Sequence, residues 1–346
     1  MRFHMEYLSE STQLLYSQLL SQCLHGATPN GRGLSFVKKN IKDSIHWYLQ
    51  LTIGSRKTQH YLGPDSEKIH DLIKNEKTLW EKSKPDRNER EKLVSMLISG
   101  DALTISTAEA RLFEILERAG AFLVGGVLVG SHAFTVYGNM LGIKWPSKIM
   151  QTHDIDIASD NHISLGLINK TINLKQALLD AEMGFLEVPA LNRKAPSTSF
   201  RIQGKQLSVD ILTPMIGKPD SKAILISALN TYAEPLRFLD YLLQDTQPAV
   251  IVARAGILVN VPSPARYALH KLVASSRRPA AMQTKTLKDI EQAKLLFKVL
   301  IEDRPGDIQI AFEAAKQMPE KFLEQLMPGI KKLPDEHSKV LEKYLN

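Results

Sequence analysis

Hydrophobic positions recur at two spacings along this chain, and the changes of spacing divide it. Over residues 1 to 25, Tyr7, Leu8, Leu14, Leu15, Leu19 and Leu20 form an apolar face that predicts a short amphipathic helix. A loop from Gly26 to Gly33, carrying Pro29, is expected to end it. From Leu34 to Leu62 the period drops to two, in Ser35-Phe36-Val37, Ile45 to Leu51 and Thr58 to Leu62. With turns at Lys42-Asp43-Ser44 and Gly54-Ser55, this reads as a three-stranded antiparallel meander. Three strands are marginal alone. A helix from Ser66 to Lys82 is therefore expected to cover them, with Ser66 as N-cap and Ile69, Leu72, Ile73, Leu79 and Trp80 in a stripe.

The charged run from Lys82 to Arg90 surrounds Pro85 and is read as a joint. It closes a first domain, residues 1–84, of helix, β-meander and helix. Helical spacing returns at Leu93 to Ile98 and at Thr107 to Ala119, and Phe122 to Val129 is expected to enter a sheet as a strand. Further on, Leu174 to Ala181 reads as a helix stopped at Gly184. Ser199 to Ile202 and Leu207 to Leu212 read as a hairpin around Gly204-Lys205. Strand-like alternation over 248–261, split by Gly256, completes a second domain, 85–261. Pro262 and Pro264 then open a helical C-terminal domain, 262–346, with helices at Arg266 to Ser276 and Leu287 to Ile301 and amphipathic pieces out to Tyr344. The fold class expected is α+β.

Composition narrows the function classes. The chain has 346 residues, 43% hydrophobic, enough for real cores in two or three domains. Its 44 basic against 37 acidic residues leave a net charge of +7, a mild bias toward polyanions that a nucleoside triphosphate alone would satisfy. Cys23 is the single cysteine, which excludes an intramolecular disulfide and a cysteine-based zinc site. No apolar run has the length of a membrane span, and Glu6 and Glu10 interrupt the stretch where a signal peptide needs an apolar core. A cytoplasmic soluble protein without membrane contact is expected.

Candidate chemistry lies in two stretches, Val127-Leu128-Val129-Gly130-Ser131-His132-Ala133 and Thr152-His153-Asp154-Ile155-Asp156-Ile157-Ala158. The first reads as an apolar strand breaking at a glycine into a helix. There Gly130 admits a phosphate to the backbone, and Ser131 donates to it at a helix N-terminus. In the second, Asp154 and Asp156 stand at i and i+2, so both carboxylates leave the same strand face. Two such charges repel unless a cation lies between them. Magnesium, with manganese as the alternative, suits a pair of carboxylates shared with substrate phosphates. A phosphatase using one aspartate as nucleophile is disfavoured, because Ala158 stands where a polar residue is expected.

Gly130-Ser131, a helix, Asp154-Ile155-Asp156 on a strand and a lone Asp210 within Leu207-Ser208-Val209-Asp210-Ile211-Leu212 together resemble the nucleotidyltransferase fold of the DNA polymerase β superfamily. More narrowly, the chain is similar to bacterial stand-alone nucleotidyltransferases, also at Tyr61-Leu62-Gly63-Pro64-Asp65 and Pro262-Ser263-Pro264-Ala265-Arg266. The resemblance runs from about Ser35 to Ile301 and implies a polymerase-β-type core, a mixed sheet with helices on one side. It departs from short-motif members in an insertion containing Lys144-Trp145-Pro146 between the Gly-Ser and the Asp-x-Asp. It implies phosphoryl transfer with two metal ions held by Asp154, Asp156 and Asp210, Asp210 also taking the proton of the attacking hydroxyl. A nucleoside triphosphate, ATP among them, is the implied co-substrate, and an RNA end, a protein or a small molecule the acceptor. A catalytically silent nucleotide-binding regulator and a nucleic-acid-binding protein are the alternatives.

The resemblance also gives the C-terminal cluster of Lys271, Arg277, Arg278, Lys285 and Lys288 a role, closing over the triphosphate, in place of a merely solvated face. His132 and His153 are read as packed or capping residues. Ser131 lacks the surroundings of a covalent nucleophile, since no Gly-x-Ser-x-Gly elbow contains it. In the meander, Trp47, Tyr48 and Tyr61 with Lys38, Lys39, Arg56 and Lys57 suit single-stranded nucleic acid, although aromatics on a small sheet also serve simply as its core.

Overall fold

The computed structural model describes residues 5–25, 34–41, 44–53, 56–150, 152–160, 172–190, 195–217 and 222–345. The loop expected from Gly26 to Gly33 and the turn residues Lys42, Asp43, Gly54 and Ser55 lie outside them. The architecture is α+β, with a mixed sheet at its centre.

That sheet is built around the strand Asp154–Ala158. Ile155 and Ile157 are fully buried in the apolar core, so the alternating aspartates must leave the other face. The strand pairs antiparallel with Val127–Val129 and parallel with Ser208–Pro214. The latter is delivered by the hairpin from Ser199–Ile202, which pairs antiparallel with it. Its far end runs parallel to Thr231–Leu236, and Phe185–Glu187 and Ile224–Ile226 complete seven strands among the described residues. Beside this sheet lies an antiparallel pair, Thr246–Ile251 with Ile257–Pro262, at the positions expected either side of Gly256.

The meander has the order Leu34–Ile41, Ser44–Ile53, Arg56–Pro64, antiparallel throughout. Ser66 caps the helix that follows, accepting from the Ile69 amide at 3.4 Å. This helix does not stop at the expected joint. It runs from Glu67 to Ser99, straight through Pro85. Pro85 costs one intrahelical hydrogen bond. Glu81, Lys82, Arg87, Glu89 and Arg90 around it are good helix formers, Arg87 pairs with Glu91 one turn on at 2.6 Å, and Leu93, Val94 and Leu97 anchor the C-terminal half by burial.

Those anchors join Tyr16, Leu19 and Cys23 with Val250 and Val252 in a separate apolar cluster. The N-terminal helix, Glu10–His25, thus buries the stripe Thr12, Tyr16, Leu19 and Cys23, whereas Leu14 from the expected face is 70% exposed. Tyr7 is not helical: Glu6–Tyr7 pairs with Ile143–Lys144. The expected strand from Phe122 is also shorter, Val127–Val129, because residues 120 to 125 form turns after the helix Thr107–Ala119. The main core extends from the sheet into the helices Pro264–Arg277, Gln283–Asp303, Pro305–Lys316 and Glu320–Ile330, where Tyr267, Phe297, Phe312 and Phe322 are fully buried. Among the described residues no helix is long and apolar enough to cross a membrane.

Candidate active site

Strand register brings the carboxylates together. Asp210 lies directly opposite Asp156, and Ser208 opposite Asp154, on neighbouring parallel strands. Partners in such a ladder project from the same face, so Asp154, Asp156 and Asp210 share one surface with Ser208 between them. The Ser208 hydroxyl is 2.6 Å from Asp154 Oδ1 and donates to it, and the Ser199 side chain hydrogen-bonds Asp210. All three aspartates are half-buried.

Their electrostatics report the crowding. Burial, reinforced by the Asp210 charge, pushes the Asp156 carboxyl up to about 6, against the opposing pull of Lys271 and His132. Asp210 is also raised, by burial first and by Asp154, with the Ser199 hydrogen bond, Arg201 and Lys285 acting the other way. Among the described residues no three His, Cys, Asp or Glu side chains are gathered into a ready-made metal cage.

The glycine turn stands over this surface. Gly130 adopts φ +65, and a Cβ there would collide with the Asp156 carboxylate. Glycine is needed for both reasons: the left-handed backbone and the missing side chain. The helix Gly130–Leu141 starts at this point without a side-chain cap for its first amides. Ser131 Oγ accepts from Gln292 Nε2 at 3.4 Å, and the Tyr267 hydroxyl donates to the Gly130 carbonyl at 2.8 Å. The C-terminal helices thus hold the turn in place.

Those helices also bring the lysines. Lys271 donates to Asp289 Oδ1 at 2.7 Å and lies 5.2 Å from the Tyr267 ring centre. Arg278 takes the other oxygen, at 2.6 Å. Burial opposes ionisation of Asp289, yet Lys271 and Arg278 hold its carboxyl below the ordinary range. Lys288 is half-buried, and desolvation with the Lys271 charge lowers its affinity for a proton while Asp154 and Asp156 act to raise it. Lys271 and Lys288 therefore sit within electrostatic reach of the aspartates, and Lys285 reaches Asp210. Arg277 is placed elsewhere: it donates to the Arg237 carbonyl at 3.3 Å and lies over the Phe238 ring.

His132 is buried beneath the site. Its Nδ1 is 3.2 Å from the Asp154 carbonyl and its Nε2 3.1 Å from Glu109. Burial opposes ionisation of Glu109, but hydrogen bonds from His132 and Ser106 prevail and hold its carboxyl at about 2. His153 is exposed, and its carbonyl accepts from the Ser208 amide.

Sequence reasoning missed Ser208, Asp289 and Gln292. Each left a signal: Ser208 stands two residues before Asp210 on the same strand face, and Asp289 and Gln292 are polar residues at i and i+3 in an otherwise apolar helix face. Ser199 and Tyr267 left none, because their roles depend on which strand or turn is packed beside them. A family model described as Nucleotidyltransferase matches residues 107–317, a span that encloses Gly130, the three aspartates and the lysine-bearing helices. No curated protein and no solved structure matches the chain.

Proposed function

The chain belongs to the nucleotidyltransferase family, and from that premise we propose that it moves a nucleoside monophosphate from a triphosphate to a hydroxyl acceptor, releasing pyrophosphate. The observation that carries this reading is the register of Asp210 opposite Asp156, with Asp154 two residues away on the same face. In this reading the mixed sheet is a polymerase-β-type core.

Magnesium fits the donor set. The donors are carboxylate oxygens only, on one surface, without a closed cage among the described residues, and magnesium characteristically takes one or two carboxylates together with substrate phosphates. Asp154, Asp156 and Asp210 would hold it, or manganese in its place, and it would neutralise phosphate charge and favour ionisation of the attacking hydroxyl.

The chain's own groups do the rest. Gly130 admits the triphosphate to the backbone, and the Ser131 hydroxyl and the open amides of its helix donate to phosphate oxygens. Lys271 and Lys288 supply positive charge beside the aspartates, where the pyrophosphate gathers negative charge on leaving. Asp210, with proton affinity raised by burial, accepts the proton of the acceptor hydroxyl. The hydroxyl oxygen bonds to the α-phosphorus as the bond from that phosphorus to the bridging oxygen breaks. A catalytically silent regulator would have no need of all three carboxylates, and all three are present.

Incubating the protein with magnesium, total RNA and total protein, and each triphosphate labelled at the α or the γ phosphorus, tests this. The α label is expected in an acceptor and the γ label in pyrophosphate. Release of the γ label as orthophosphate would instead mark a triphosphatase.

A further inference from the structure

The meander and the N-terminal half of the long helix enclose a groove of about 720 Å³ that the catalytic reading does not use. Its floor is apolar, with Trp47 from the sheet and Ile73 from the helix. Lys38 approaches from the sheet, and Lys74, Lys77 and Lys82 from the helix. Glu81 is the acidic side chain in the lining. Among the described residues no ion pair engages these four lysines.

The aromatic floor is held in place. Trp47 Nε1 donates to Asp65 Oδ1 at 2.6 Å, and His70 Nε2 reaches the same oxygen at 2.6 Å. The His70 ring meets Trp47 edge-on, at 5.9 Å between centres, and Lys38 Nζ lies 5.0 Å from the indole centre. Asp65 thereby orients the two rings, and its carboxylate also feels the Lys38 charge, which leaves Lys74, Lys77 and Lys82 on the helix as the rest of the rim.

We propose that this groove binds single-stranded nucleic acid, presenting its end as the acceptor; the acceptor role rests on the transfer reading above. Two features select that occupant. Lys74, Lys77 and Lys82 are spread over about 12 Å of helix, a line of charge suited to successive phosphates and not to one headgroup. The indole, held by Asp65 and His70, gives an aromatic surface on which bases stack.

The test uses the full chain and a fluorescein-labelled oligouridylate of about twelve nucleotides, followed by anisotropy over a series of KCl concentrations. Binding is expected without triphosphate, weakening linearly in log–log form with salt. The double variant Lys74→Gln, Lys77→Gln changes exposed helix positions and leaves the fold intact. It should weaken binding about tenfold and flatten the salt slope by about 1.4, at about 0.7 for each phosphate that is no longer neutralised. Magnesium-dependent ATP binding should be unchanged in it. Absence of oligouridylate binding at low salt, or binding indifferent to the double variant, overturns the proposal. Equal binding of polyglutamate or of phosphatidylserine vesicles overturns the choice of occupant. If the oligonucleotide binds through these lysines but no label is ever transferred, the docking surface stands and the transfer reading fails.

Discussion

Replacing Asp156 by asparagine removes a charge while keeping the shape, and the structure sets the size of the effect. The carboxyl rises from an ordinary 3.8 to about 6, through burial first and the neighbouring Asp210 and Asp154 charges next. At about 1.4 kcal/mol for each tenfold change in proton affinity, the folded chain without metal bears about 3 kcal/mol for keeping Asp156 ionised. The sign follows from linkage. Below about pH 3.8 the group is protonated folded and unfolded, and costs nothing; between there and about 6 the unfolded chain gives up the proton first, so stability falls as pH rises; above about 6 the full cost applies. Asp156→Asn should therefore be more stable than the parent by up to about 3 kcal/mol near neutral pH in chelator, and the gap should close toward about pH 4. Urea denaturation of both proteins at several pH values measures it. Adding magnesium should stabilise the parent and not the variant. A variant less stable at neutral pH, or a gap that does not change with pH, would refute the reasoning.

Ser131→Ala should weaken triphosphate binding by about 1.5 to 3 kcal/mol, the value of one charge-assisted hydrogen bond, with little loss of stability; titration calorimetry reads it, and unchanged affinity would make the turn a packing feature. Its side-chain partner, Gln292, holds a second acceptor in the Ile149 carbonyl at 3.4 Å. Gly130→Ala should cost about 1 to 3 kcal/mol from the left-handed backbone alone, and should also displace the Asp156 carboxylate, so denaturation and metal affinity should both suffer. Asp289→Asn strips the shared counter-charge from Lys271 and Arg278 and should destabilise the fold by about 3 kcal/mol, measured by urea denaturation, with loss of triphosphate affinity as Lys271 is released.

The carboxylate surface was legible in the sequence because strand alternation is binary. Ile155 and Ile157 on one strand, and Val209 and Ile211 on the other, demand burial, and a slip of one residue would turn every one of them to the wrong face. The hairpin at Gly204 and the helix cap at Ser66 were legible for a similar reason, each being a local signal with local partners. Pro85 misled because its cost is local while the compensation, Leu93, Val94 and Leu97 packed on Tyr16 and Val250, comes from remote chain. Phe185–Glu187 and Ile224–Ile226 are only three residues each, too short to display a period. Arg277 and Arg278 are neighbours in sequence, and only the packed structure sends one to Phe238 and the other to Asp289.

The most direct measurement is a crystal structure with manganese and a triphosphate whose α,β bridge cannot be cleaved, located by the anomalous signal of the metal. Expected are manganese peaks about 3.5 to 4 Å apart, ligated by Asp154, Asp156 and Asp210, with the phosphates against Gly130 and Ser131. Manganese bound away from these aspartates, or an Asp210 carboxylate more than roughly 8 Å from those of Asp154 and Asp156, would contradict a single metal site built by the register of two parallel strands.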